Sequence, residues 1–247
     1  MMNHNKDTQI RLYIDEEFTE NAIVNLPLNQ IHYLRNVMRL DVGARIQVFN
    51  GRDGLYLANL TELAKKKGTA QLQEQIVPQP TVTQKLALCF VPIKKDRQDF
   101  MIEKAVELGV TDLYPLKSQH GQVGKIKTER IESQIIEAAE QCERLDMPNL
   151  HAMNDLRRFL KAFPADQKLY ICAERAKAKP IGQVILDNQG QNACFLIGPE
   201  GGFSGEEMAL FDEYDFVEKI NLGSRILRAE TAAVTALASF WACQSAE

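Results

Sequence analysis

A run of five apolar residues, Ala193-Cys194-Phe195-Leu196-Ile197, stops at Gly198-Pro199-Glu200-Gly201-Gly202, and this junction constrains the fold more than any other stretch of the chain. Consecutive apolar residues without alternation describe a strand covered on both faces, the kind found in parallel sheets flanked by helices. The adjacent glycines allow a turn with positive φ and leave the backbone bare of Cβ atoms where a ligand can approach. Ser204 and Glu207 have the spacing of a capping box, so a helix begins there. A second strand, Phe216 to Leu222, ends in Gly223-Ser224. Arg225-Ile226-Leu227-Arg228 follows, and Ala229-Glu230-Thr231 opens a long helix. Two glycine-bearing loops therefore sit at the carboxyl ends of successive strands, where open α/β sheets bind ligands.

Upstream of this stretch the chain divides at Pro78-Gln79-Pro80, a short linker stiffened by its prolines. Before the linker, residues 10 to 77 predict a small β-rich domain with one helix. Its strands run over Arg11–Ile14, Arg45–Phe49, Gly54–Thr61 and Thr69–Val77, with a hairpin turn at Asn50-Gly51-Arg52-Asp53-Gly54. The helix spans Gln30 to Arg39, with Ile31, Leu34 and Met38 on one apolar face and Arg35 and Arg39 sharing another. Lys65-Lys66-Lys67 is expected to be a solvated turn.

After the linker, strands alternate with helices: strand Lys85–Val91, helix Lys94–Leu108 closed by Gly109, strand Val110–Pro115, and a long helix from Lys125 to Leu145. A short strand at Asn149–Ala152 is followed by a helix from Asp155, a strand over Lys168–Ala173, a helix over Pro180–Asp187 and the strand 193–197. This alternation predicts a parallel α/β sheet. The last helix, Ala229 to Ala242, is apolar or small nearly all round and is expected to be buried.

Composition excludes several classes. With 247 residues, 45% hydrophobic and 25% charged, the chain has the make-up of a globular protein with room for two cores. No apolar segment approaches a membrane span, and the first residues lack the apolar core of a signal peptide. Five cysteines stand singly, Cys89, Cys172 and Cys194 within apolar runs, which predicts reduced core thiols in a cytosolic protein. The histidines (His4, His32, His120, His151) are scattered, so no metal site is expected. Net charge is −4, and residues 1–75 are neutral with nine basic and nine acidic side chains. Any nucleic-acid surface must then be a local patch and not a global field.

Neither glycine loop is a Walker A sequence or a dinucleotide fingerprint. GPEGGFSxxE followed by LGxRILRAETA, however, resembles the signature of the RsmE-type uridine-N3 rRNA methyltransferases, members of the SPOUT class. Three further stretches are similar to the same family: HYLRNVMR at His32–Arg39, KKDRQDFMIEKAVELGV from Lys94, and EAAEQCER at Glu137–Arg144 followed by Pro148. The likeness covers nearly all of the chain beyond its first ten residues, and the paired C-terminal loops carry most of its specificity. It implies a PUA/OB-like β-rich RNA-binding domain over 1–77 and a SPOUT methyltransferase domain over 78–247. That domain would hold a C-terminal trefoil knot and the S-adenosylmethionine site at about 170–235, and the protein would be a homodimer.

The implied reaction is methyl transfer from S-adenosylmethionine to N3 of a uracil in the decoding region of 16S rRNA, on the assembled small subunit. On this reading the cofactor contacts come from Leu196, Ile197, Gly198, Pro199, Glu200, Gly201 and Gly202 of the first loop. Leu222, Gly223, Ile226, Leu227, Arg228 and Thr231 supply the second. Neutral uracil N3 is a poor nucleophile, so a base or a cation that stabilises the uracil anion is needed. Arg228, Glu200, Glu230 and Arg144 are the candidates for catalysis, and the base itself stays open between loop-bridging and helix-terminus roles for the two glutamates. RNA contacts are expected from Arg11, Arg35, Asn36, Arg39 and Arg52 in the first domain. In the second they are expected from Lys94, Lys95 and Arg97, and from Gln141 and Arg144, which stand one helical turn apart. Two other readings compete. A non-catalytic RNA-binding or ribosome-assembly factor would be expected to carry a damaged cofactor loop. A hydrolase using GPEGG as a phosphate nest would need a lysine, metal carboxylates or a Ser/His/Asp order that the sequence lacks.

Overall fold

A computed structural model describes residues 10–172 and 178–243. Ala173, the last residue of one expected strand, and His4 lie outside the described residues. The chain forms two compact units: one reaches Val82 and includes Ala139–Met147, and the other holds Thr83–Ala138 and Pro148 onward.

The first unit is a five-stranded sheet. Its elements are β1 (Arg11–Tyr13), β2 (Ile23–Asn25), α1 (Leu28–His32), β3 (Arg45–Phe49), β4 (Leu55–Leu63) and β5 (Gly68–Val77). The strand order is β1-β3-β4-β5-β2, with β1 parallel to β3 and the other pairs antiparallel. Leu12, Val24, Leu34, Ile46, Val48, Ala58, Leu60 and Leu72 form its core. The hairpin turn is built on Asn50, which is buried. Its Oδ1 accepts the backbone N–H groups of Arg52 and Asp53 at 2.9 and 2.8 Å. Its Nδ2 donates to Asp53 Oδ2 at 2.6 Å and to the Glu16 carbonyl at 2.9 Å. Gly54 closes the turn at φ +84°, where a Cβ would sit 2.3 Å from the Val77 carbonyl oxygen, so no other residue fits.

Two expectations change here. β2 is unexpected: its burial does alternate, with Val24 buried between the exposed Ile23 and Asn25, but three residues are too few for a period-2 pattern to stand out, and the strand is defined by its antiparallel pairing with β5. The expected helix Gln30–Arg39 is α1 followed by one π-helical turn, Tyr33–Val37. Met38 N–H bonds the Tyr33 carbonyl at 3.0 Å and Leu40 N–H bonds that of Leu34 at 2.9 Å. Between them Arg39 takes the left-handed conformation, φ 56°. Arg39 therefore lies beyond the helix, and Arg35 and Arg39 do not share a helical face.

The second unit is an all-parallel sheet ordered β11-β13-β10-β12-β6-β7-β8, with β9 beside β7. Its strands are β6 (Leu86–Phe90), β7 (Asp112–Lys117), β8 (Asn149–Leu150), β9 (Asn154–Asp155), β10 (Leu169–Cys172), β11 (Lys179–Pro180), β12 (Ala193–Ile197) and β13 (Val217–Asn221). The helices are α2 (Lys95–Glu107), α3 (Thr128–Cys142), α4 (Leu156–Ala162), α5 (Ile181–Asp187), α6 (Gly205–Phe211) and α7 (Ala229–Ala242). β6 and β12 are buried along their whole length, as their unbroken apolar runs require. Cys89 on β6 and Cys194 on β12 meet as free thiols with Sγ atoms 3.3 Å apart, and burial pushes the Cys89 thiol well up.

β7 starts two residues later than expected, because Val110 N–H closes the end of α2 on the Ala105 carbonyl at 3.0 Å after Gly109 turns at φ +74°. α7 also departs from expectation. Ala229, Ala233, Ala236, Leu237 and Phe240 are buried where it packs on α2 and β12. Thr231 and Trp241 on its other flank are exposed, and Val234, Thr235 and Ala238 are half-buried, so within one chain it is not covered all round.

Candidate active site

The carboxyl ends of three neighbouring strands, β12, β10 and β13, open onto a cavity of about 820 Å³. The loop after β12 is pinned at its far end by α6. Ser204 Oγ accepts the Glu207 N–H at 3.1 Å, and the Glu207 carboxylate accepts the N–H groups of Ser204 and Gln119, each at 2.8 Å. Within the loop Gly202 sits at φ +70° and its N–H bonds the Pro199 carbonyl at 2.8 Å. A Cβ on Gly198 would lie 2.9 Å from the ring of Phe203, which forms part of the cavity wall. The loop after β13 turns at Gly223, φ +125°, whose N–H is held by the Asn221 side chain at 2.7 Å. Arg228 then caps α7.

Eleven of the thirteen expected cofactor positions line this cavity: Ile197, Gly198, Pro199, Glu200, Gly201, Gly202, Leu222, Gly223, Ile226, Leu227 and Arg228. Two do not. Leu196 points into the core beneath, because it alternates with Ile197 along β12. Thr231 is exposed on the first turn of α7, where its carbonyl accepts the Thr235 hydroxyl at 2.8 Å. Sequence reasoning missed Cys172, Phe203, Met208, Ile220, Asn221, Arg225, Ala229 and Ala232. Ile220 and Asn221 end a strand already assigned to the site, so the strand-end rule contained the signal for them. Cys172 ends β10, which is a neighbour only through the sheet order. Burial pushes the Cys172 thiol up to about 12, so it stays neutral beside the cavity and offers no thiolate.

The charged groups are ordered around Arg97. Its Nη1 donates to Glu200 Oε1, and its Nε lies 3.8 Å from Glu230 Oε1. Both candidate bases are thus ion-paired to one guanidinium that lines the cavity. Glu230 is only 9% exposed, and its Oε2 is buried without a hydrogen-bond partner among the described residues. Arg97, expected on RNA, lines this cavity beside the two glutamates. Arg228 is exposed at the cavity and has no ion-pair partner among the described residues.

The remaining candidates separate by environment. Lys94 and Lys95 are exposed at the start of α2. In the first unit, Arg35, Asn36 and Arg39 are exposed, and among the described residues neither arginine has an ion-pair partner. Arg52 pairs with Asp15 at 3.1 Å and keeps half of its side chain exposed. Arg11 donates to the Glu143 carbonyl and pairs with the Glu143 carboxylate at 3.3 Å, with only 15% of its side chain exposed. Arg144 is engaged at 2.5 Å by Asp146 and is nine-tenths buried. Both arginines hold structure, whereas Gln141 is exposed. Arg11, Arg144 and Gln141 all belong to the first unit. Among the described residues no group of three or more His, Cys, Asp or Glu side chains is placed to hold a metal, and no helix is long and apolar enough to cross a membrane.

Two family models match the chain, an RNA methyltransferase domain over residues 80–241 and an RNA methyltransferase PUA domain over 27–73. The ribosomal RNA small subunit methyltransferase E of Rickettsia conorii is 34% identical over 92% of this chain and 93% of its own length. The chain belongs to the ribosomal RNA small subunit methyltransferase E family. A second member, from Synechocystis, is 32% identical over 92% of this chain and 76% of its own. The crystal structure of the family member from Neisseria gonorrhoeae, bound to S-adenosyl methionine, superposes with a TM-score of 0.83 at 29% identity, covering 95% of this chain and 97% of that one. A methyltransferase from Legionella pneumophila in complex with the bound cofactor SAM gives the same TM-score and identity over 95% and 98% of the two chains.

Proposed function

We propose that this chain methylates N3 of a uracil in small-subunit rRNA, with S-adenosylmethionine held between its two glycine loops. One observation carries the reading: both loops converge on a single cavity at the carboxyl ends of three adjacent parallel strands, in a chain of this family. The residues present suit the cofactor. Gly198, Gly202 and Gly223 leave backbone bare at the rim, Ile220, Ile226 and Leu227 give apolar walls, and about 820 Å³ is within the range of ligand sites.

Bound there, S-adenosylmethionine supplies an electrophilic methyl group on a sulfonium. The chain's own work is to place the acceptor nitrogen in line with that methyl, since positioning removes roughly 7–11 kcal/mol of a bimolecular barrier. Arg228, exposed at the cavity and without an ion-pair partner among the described residues, stabilises the uracil anion that remains once the N3 proton leaves. Arg97 holds Glu200 and Glu230 in place, tying the first loop to the start of α7. The N3 proton passes to one of these two carboxylates or to solvent.

By the same family reading the 78–247 domain carries the trefoil knot, the 1–77 domain grips RNA through Arg35, Asn36 and Arg39, and the open flank of α7 is covered by a second copy in a homodimer. The target is a uridine of the decoding region on the assembled subunit in the cytoplasm. The test is transfer of labelled methyl groups to purified small subunits, followed by nucleoside analysis of the rRNA. The reading expects 3-methyluridine at a single position. Label in another nucleoside, or none with the cofactor bound, would refute it, and the second outcome would favour a non-catalytic assembly factor.

A further inference from the structure

A second cavity, of about 540 Å³, opens at the opposite, amino-terminal end of the same sheet. It runs from the strand starts, at Lys85 and Ala87 of the β6 end, Asp112 of β7 and Ala193 of β12, along β7 as far as Leu116, and is walled by Phe159 and Phe163 from α4 and the turn after it. None of its lining residues lines the cofactor cavity.

The feature that singles it out is His151. Its Nε2 bonds Asp112 Oδ1 at 2.8 Å. One face of its ring stacks on Tyr114, with centroids 3.9 Å apart and planes 10° apart, and Tyr114 is backed in turn by Phe159 at 5.4 Å. Among the described residues no ring covers the other face of the imidazole, and 38% of the side chain is exposed. A half-exposed aromatic ring held by two independent contacts is a platform ordered in advance, so stacking on it costs little further conformational entropy. The same cavity is lined by Tyr114, Lys85 and Gln167, whose hydroxyl, ammonium and side-chain amide make no side-chain hydrogen bond to another described residue. The hydroxyl remains a donor across the physiological range, because burial and the neighbouring Asp112 charge raise its pKa to about 12.

We propose that this cavity is a second ligand site that takes a nucleobase stacked on His151. A flat heterocycle rich in carbonyl and ring-nitrogen acceptors matches the platform and its rim of donors, and the volume accommodates the base with its ribose. Two sources share that chemistry, a free mononucleotide and a nucleotide of a single-stranded RNA. The site does not depend on what fills the cofactor cavity.

The test is titration of the full chain, saturated with S-adenosylhomocysteine, with uridine, adenosine and guanosine monophosphates and separately with a short single-stranded RNA. Chemical shifts of residues around His151 are the readout. Saturable shifts with a mononucleotide identify the free nucleotide as the source, and shifts with the RNA alone identify the strand. In either case His151→Ala should weaken binding about tenfold or more, the loss of one stacking contact. His151→Phe, which keeps a stacking face without the Asp112 bond, should restore most of it. S-adenosylhomocysteine affinity, unchanged in both variants, reports that the sheet is intact and that the cofactor site stands or falls separately. The proposal is overturned if no probe produces saturable shifts at the cavity, or if His151→Ala binds as well as the parent.

Discussion

Arg228 and Arg97 sit at the same cavity but carry different burdens. Arg228 is exposed and has no ion-pair partner among the described residues, so no ion pair among them depends on its charge. Arg228→Ala should melt as the parent does and bind cofactor within a few fold, yet lose about 10² to 10³ in turnover, the usual cost of removing a group that stabilises developing charge. A methyl-transfer assay at saturating cofactor checks this, and parent-like turnover would remove Arg228 from the chemistry. Arg97 holds two carboxylates, one of them buried. Arg97→Ala should cost about 1–3 kcal/mol in denaturant unfolding, because it leaves the Glu230 carboxylate with both oxygens unpaired. Adding Glu230→Gln should recover part of that loss. The division between the two arginines was not legible in the sequence. Both flank glycine loops or helix starts, and only the fold brings residue 97 to residues 200 and 230. Arg11 shows the same limit, since its carboxylate partner, Glu143, lies 132 residues away in sequence.

Local signals located most elements and failed where a tertiary partner decided. The Ser204–Glu207 capping box, the Gly109 cap and the Asn50–Gly54 turn formed as their residue types require. β2, three residues held by edge pairing, and the π-helical turn at Tyr33–Val37 carried no local signal that separates them from a loop and an α-helix. The hairpin turn offers a pH test. Hydrogen bonds from the Asn50 side chain, then from the Phe18 N–H, hold the Asp53 carboxyl below its usual range. A carboxyl whose pKa is lowered by folding contributes stability above its unfolded pKa, about 4, and loses it as pH falls through the folded value. Asp53→Asn should therefore flatten the acid side of the stability profile below about pH 4. Asn50→Ala, which strips four hydrogen bonds from the turn, should cost about 1–3 kcal/mol at neutral pH. An acid limb unchanged in Asp53→Asn would show that the turn does not govern it. The exposed Arg35 and Arg39 belong to this scale too, one on the π-helical turn and one just past it. Replacing both with Ala should weaken RNA binding and reduce the slope of log affinity against log salt by roughly 1.4–1.8. An unchanged slope would return them to the solvated surface.

At the scale of the whole chain, alternation of buried strands and helices was enough to predict a parallel sheet, whereas the place of Ala139–Met147 in the first compact unit had no signal at the Pro78–Pro80 stretch. The strand order was not legible either. β12 inserts between β6 and β10, and that insertion alone puts the first loop beside the second and beside Cys172. The central claim is that the cavity so formed binds S-adenosylmethionine. Calorimetric titration of the purified chain with S-adenosylmethionine tests it most directly, with a variant in which Gly198→Val crowds Phe203 as the companion. The account predicts saturable binding at one site per chain, weakened at least tenfold in the variant. A folded parent protein that gives no binding heat and no competition by S-adenosylhomocysteine would contradict it.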